Sequence, residues 1–255
     1  LAALAAVVGC ANQGSGPDGG PYDETPPRIV SATNPEKVAG GKRTKFTLVF
    51  DELIKVDNAN EKITVSPPQK EQPEIKVSGR RVTVEILDSL IPNTTYTVDF
   101  SDAITDNNEG NPLGNYTYSF YTGEHIDTME VSGWVLAADN LEPVKGILVG
   151  LYANLADSAF RTQPMLRVAK TDGRGHFVIR GIAPGKYRVY ALQDVDGDYH
   201  LTQKGEEMAF NREIIVPSSK PDVRQDTLWR DSLRIDSISR VSYTHFLPDN
   251  IMLRA

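Results

Sequence analysis

The chain has 255 residues, 40% of them apolar and 24% charged, and carries a formal charge of -7. That acidic balance leaves no cluster of Lys and Arg to meet phosphates, so nucleic acid is excluded as a partner class. No apolar run reaches the roughly 20 residues of a bilayer-spanning helix, and 16 prolines with 20 glycines favour short strands and turns. The expected class is all-β, with two units of roughly 100 residues each plus flanks.

The N-terminal stretch reads LAALAAVVGCANQGSGPDGG and holds the only cysteine, Cys10. One cysteine makes no intramolecular disulfide. A free cysteine is usually buried, yet residues 11–20 are rich in Gly, Ser, Asn and Pro and offer no core to bury it in. Val7-Val8-Gly9-Cys10 after an apolar run resembles a bacterial lipobox. The resemblance implies a diacylglyceryl thioether on Cys10 and an acylated amino end, several chains on one residue being needed for a stable anchor. Residues 1–9 are then the remnant of a signal peptide, whose start, without Met or basic residues, is expected to be incomplete. Residues 10–25 form the lipidated cysteine and a flexible tether. Asp18, Asp23 and Glu24 in that tether resemble the export signal of Bacteroidetes surface lipoproteins. The expected location is the outer membrane, on its surface-exposed or periplasmic face.

Residues 26–122 switch to short alternating runs, the mark of half-buried strands. Phe46, Leu48 and Phe50 share one face, and Ile75, Val77, Val82, Val84 and Ile86 flank Ser78-Gly79 as a hairpin. Tyr96, Val98 and Phe100, then Tyr116, Tyr118 and Phe120, read as two strands around a polar loop. Leu90, Pro92, Thr95 and Tyr96 resemble the tyrosine corner of immunoglobulin-like sandwiches. Together FDELI, LIPNTTYTV, ITDNNEGNPL and YSFYTG resemble the bacterial Ig-like family of surface-layer and cell-surface proteins. A sandwich of roughly seven strands without inherent catalysis is what that resemblance implies. Asp102, Asp106 and Glu109 could ligate a hard cation or serve a strand-connecting turn.

Residues 130–216 carry a second alternating pattern: Val131, Gly133 and Val135, then Ile147, Val149 and Leu151, Phe177 and Ile179, and Tyr187, Val189 and Ala191. TDGRGHF and IRGIAPGKYRVYA resemble prealbumin-like sandwiches, the regulatory domains of carboxypeptidases and stalk modules of adhesins, which implies a second non-catalytic unit. Asp194, Asp196 and Asp198, with Glu206 further on, make a candidate calcium site, since crowded carboxylates repel unless solvated or bound to a cation. The EF-hand spacing fails: counting from Asp194, the glycine position holds Tyr199 and Glu206 comes one place late. A solvated acidic turn is the alternative.

Residues 217–255 read as a polar tail and the start of a truncated C-terminal region, ending in an apolar strand, VSYTHFLPDNIMLRA, whose partner is missing. Ser89, Thr128, Ser158, Thr227, Ser232 and Ser237 each follow Asp and precede an apolar residue. That triplet resembles the O-glycosylation signal of Bacteroidetes envelope proteins, although a repetitive charged tail would also generate it. Among the dispersed His125, His176, His200 and His245 there is no metal-spaced pair, and Gly14 to Gly16 do not follow a strand.

The expected function is a non-enzymatic, lipid-anchored envelope protein acting as a binding or structural module, held to the membrane by Cys10. Its expected partners are an envelope glycan or protein. A glycan-binding accessory lipoprotein would show an exposed aromatic platform drawn from Tyr116, Tyr118, Tyr121 and Trp134. An anchor and stalk for a catalytic domain beyond residue 255 is the further alternative.

Overall fold

A computed structural model of the chain describes residues 23–37, 43–231 and 234–255. Cys10 and Ser232 lie outside them. The protein is nearly all β, as the alternation predicts.

The first unit comprises β1 (Ile29–Ala32), β2 (Glu36–Lys37), β3 (Thr44–Phe50), β4 (Ile54–Val56), α1 (Ala59–Lys62), β5 (Thr64–Ser66), β6 (Glu74–Ser78), β7 (Arg81–Ile86), β8 (Thr95–Asp99), β9 (Ile104–Asp106) and β10 (Thr117–Tyr121). One sheet runs β1-β3-β7-β6 with β2 on β3, a second runs β10-β8-β5, and β4 pairs with β9. The period of two decides what is buried. Phe46, Leu48 and Phe50 of β3 and Val82, Val84 and Ile86 of β7 meet Tyr96 and Val98 of β8 and Phe120 of β10 in one apolar core. Within it Tyr96 stacks on Phe120 with ring centroids 5.3 Å apart. The expected hairpin is present: Ser78 pairs with Arg81, and Gly79 has the positive φ of 60° that a two-residue turn requires.

The second unit comprises β11 (Met129–Leu136), β12 (Leu148–Tyr152), α2 (Ala159–Thr162), β13 (Arg167–Lys170), β14 (His176–Ile182), β15 (Arg188–Leu192), β16 (Met208–Phe210), β17 (Ser218–Asp231), β18 (Arg234–Leu247) and β19 (Ile251–Arg254). Sheets β14-β11-β19 and β13-β12-β15-β16 enclose Val131, Val135, Val149, Leu151, Phe177, Ile179, Val189 and Leu253. β12 departs from the half-buried pattern, because all five of its residues are buried. Its second face carries Leu148 and Tyr152, which pack with Ala159, Met165, Tyr190 and Leu192 in a satellite core. Each face of that strand alternates correctly; the sequence cannot show that a loop covers the outer one.

The C-terminal expectation needs correction. The strand read as lacking a partner is divided between two: Val241 to Leu247 belong to β18, which pairs with β17 from Ser218↔Leu247 outwards, and Ile251 to Arg254 pair in parallel with β11. Ile251 and Leu253 complete the second core. The segment read as a polar tail is therefore a long two-stranded ribbon. None of its described residues is buried, so it leaves no apolar alternation for a sequence reading to find.

The two units meet over a polar sheet face. In β5 and β8 the register Thr64↔Asp99, Val65↔Val98 and Ser66↔Thr97 turns the valines to the first core and the hydroxyls outward. Yet Thr64, Ser66, Thr95 and Thr97 are all buried. β13 and β14 cover them. The Val168 N–H donates to Ser66 Oγ at 3.0 Å, the Arg167 guanidinium donates to the Thr95 carbonyl, and Lys170 Nζ donates to the Glu61 carbonyl at 2.7 Å.

Candidate functional site

In the loop after β9 and in the loop between β15 and β16, aspartates accept hydrogen bonds from their own loop's backbone. In the loop after β9, Asp106 Oδ1 accepts the N–H groups of Asn108, Glu109 and Gly110 at 2.7 to 2.9 Å, and Oδ2 accepts that of Asn111 at 2.7 Å. Burial pushes the Asp106 carboxyl up, but those backbone donors together outweigh it and hold the group below the usual carboxylate range. Asp102 pairs with Lys62 at 3.0 Å. The carboxylates of Asp106 and Asp102 thus serve turn geometry and an ion pair.

The loop between β15 and β16 brings Asp194, Asp196 and Asp198 together, with a carboxylate oxygen of each within 4.8 Å of the others. Glu206 lies outside that group, its Oε2 accepting the N–H groups of Thr202 and Gln203 at 2.9 and 3.0 Å. The Asp194 oxygens accept the Gly197 and Tyr199 N–H groups at 2.8 and 3.0 Å. Asp196 accepts Gln203 Nε2 at 2.7 Å. Burial raises Asp194 above the usual range, while the Gln203 bond lowers Asp196. Crowded carboxylates are thereby pushed apart, by burial on one side and by donors on the other. The trio has the residue types of a hard-cation site, and its oxygens also close the loop on itself.

Of the triplet residues, Ser89, Thr128, Ser158 and Ser237 are exposed and Thr227 is half-buried on the ribbon. The proposed aromatic platform does not form as one surface. Tyr116 and Tyr118 pack against the first core, whereas Tyr121 ends β10 and Trp134 lies in β11, in another sheet. Tyr118 stacks on Phe46 with centroids 4.2 Å apart.

Two features escape the sequence reading. At the base of the ribbon, His245 lies between two carboxylates, with Nδ1 3.0 Å from Asp222 Oδ2 and Nε2 2.8 Å from Asp249 Oδ2. The bond to Asp249, then that to Asp222, raises the imidazole above its ordinary value. Only the i, i+4 spacing of His245 and Asp249 could have signalled it.

The second feature is a cleft of about 900 Å³ between the units. Its walls include Pro67 and Ile91 from the first unit and Tyr152, Met165, Ile182 and Tyr187 from the second. Arg167 lines it, 5% exposed, with Nη2 3.9 Å from Asp127 Oδ2. Burial lowers its guanidinium below the ordinary value, and Asp127 partly offsets this. Arg167, at the start of β13 (RVAK), is the trace of this cleft in the sequence.

Residues 23–122 match the family model of the bacterial Ig-like domain. Over those residues the main sheets close on one core, as in an Ig-like sandwich. No curated protein matches the chain. Among solved structures, the backbone pilin of Streptococcus pyogenes shares 10% identity over 88% of this chain and 67% of its own, with a TM-score of 0.24. The N-terminal part of the bacterial S-layer protein SbsC shares 16% identity over 71% of this chain and 43% of its own, with a TM-score of 0.26. The major pilin subunit of Bacillus cereus shares 10% over 59% and 53%, with a TM-score of 0.20. Such low scores transfer nothing from those proteins to this chain.

Proposed function

We propose that this chain is a non-enzymatic, lipid-anchored structural module of the bacterial cell envelope, tethered through Cys10 to the outer membrane and holding its two β-units as one stiff body. The lock between the units carries this reading: a buried Thr and Ser face bonded by Arg167 and Val168 across sequence separations of 72 and 102 residues, with Lys170 on the Glu61 carbonyl beside it, 109 residues away. Bonds of that kind hold the two units to each other, which suits a spacer. The match of the first unit to the bacterial Ig-like family supports it, because such sandwiches recur as building blocks and their function lies in what is attached to them. The carboxylate clusters support it as well, since their oxygens are engaged in holding loops.

The test is expression in a bacterium that processes lipoproteins, followed by membrane fractionation and mass measurement of the N-terminal peptide. Membrane-bound protein with acylated Cys10, and soluble Cys10→Ser, are expected. Cys10→Ser found unchanged in the membrane fraction would overturn the anchor. Protease treatment of intact cells then separates the surface-exposed from the periplasmic face.

A further inference from the structure

The cleft between the units has the size and lining of a small-molecule site. Its volume of about 900 Å³ falls within the roughly 300–1,000 Å³ range of ligand pockets, which favour junctions between domains. Part of its polar lining is engaged within the protein. Gln69 Nε2 donates to the Pro67 carbonyl at 2.7 Å, and Tyr187 Oη donates to the Ala183 carbonyl at 2.8 Å. Arg167 differs. A guanidinium carries five N–H donors, yet among the described residues this one makes a single hydrogen bond, to the Thr95 carbonyl. Its nearest carboxylate, Asp127, stands 3.9 Å away, beyond hydrogen-bond reach. Asp127 therefore offsets charge without occupying the fork. Lys70, also on the cleft, adds a second cation.

A buried cation with open donors calls for an anionic acceptor, and a planar fork fits a carboxylate through two parallel bonds. The walls around it call for an apolar body. We infer that the cleft binds a small carboxylate with an apolar, aromatic-sized body, its carboxylate on Arg167 and its body against Tyr152, Tyr187 and Met165. This goes beyond the structural role proposed above and does not depend on the anchor.

Calorimetric titration of the purified protein with 2-naphthoate and with its neutral isostere 2-naphthamide tests this. Naphthoate is expected to bind roughly tenfold or more tightly than naphthamide, as a charge-assisted bond pair requires. Arg167→Met should erase that preference. Because Arg167 also joins the units, Ile91→Glu is the second variant. Ile91 lines the cleft and is 54% exposed, so a carboxylate there should leave the fold intact and weaken naphthoate severalfold through like-charge repulsion. Absence of binding by either probe, equal affinity for both, or naphthoate affinity unchanged in Ile91→Glu would each overturn the inference.

Discussion

The Ile91 N–H donates to Tyr96 Oη at 2.9 Å, tying the loop that precedes β8 to the strand it enters. Tyr96 is 1% exposed, so its ring fills the first core while its hydroxyl serves the backbone. Tyr96→Phe keeps the packing and removes the acceptor. The expected loss is about 1 kcal/mol of unfolding free energy, read as a lower urea midpoint at unchanged m-value.

Gly133 faces β19 so closely that a Cβ there would stand 1.9 Å from the Ile251 carbonyl oxygen. Backbone cannot yield as a flexible side chain does. Gly133→Ala is expected to cost about 3 kcal/mol or to release β19 altogether. Hydrogen exchange separates these outcomes, since release would remove amide protection at residues 251–254 and leave β12 protected.

Ser66 Oγ is the acceptor for the Val168 N–H, and both residues are buried. Ser66→Ala leaves that donor unpaired inside the joint. A loss of about 1–3 kcal/mol is expected. Calorimetry should show the two units melting with less coupling than in the parent protein, because Val65 and Val98 still hold the first core together.

Two groups set opposite pH limits. Asp106 lies below its ordinary value of 3.8, so its contribution to stability is present above that pH and lost as pH falls through the folded value. His245 lies above its ordinary 6.5, so its contribution is complete below that pH and lost as pH rises through the folded value. Melting midpoints measured across pH should fall on both sides. Asp106→Ala is expected to lower the neutral midpoint and flatten the acid limb, whereas His245→Gln should flatten only the alkaline limb. An unaltered profile in both variants would refute these assignments.

The Asp194, Asp196 and Asp198 loop closes through its own N–H groups and Gln203. Its melting behaviour should therefore be the same in calcium and in a chelator. A midpoint that rises with calcium and drops with the chelator would instead make the trio a cation site.

Much of the fold was legible along the chain. Phe46, Leu48 and Phe50, or Val131 and Val135, alternate because a strand turns successive side chains to opposite faces, and water penalises an apolar face left exposed. The tyrosine corner was legible because it too is local: Tyr96 and Ile91 are five residues apart. What the residues could not disclose depends on partners far away in sequence. Thr64, Ser66, Thr95 and Thr97 have the composition of a solvated face and are buried only because β13 and β14 lie over them. Ile251 and Leu253 looked partnerless until β11 supplied the parallel ladder. The cleft lined by Arg167 exists only where the two units meet. Periodicity follows from the geometry of one strand, whereas burial of a polar face and the shape of a cleft follow from which surfaces come together, a matter of long-range packing.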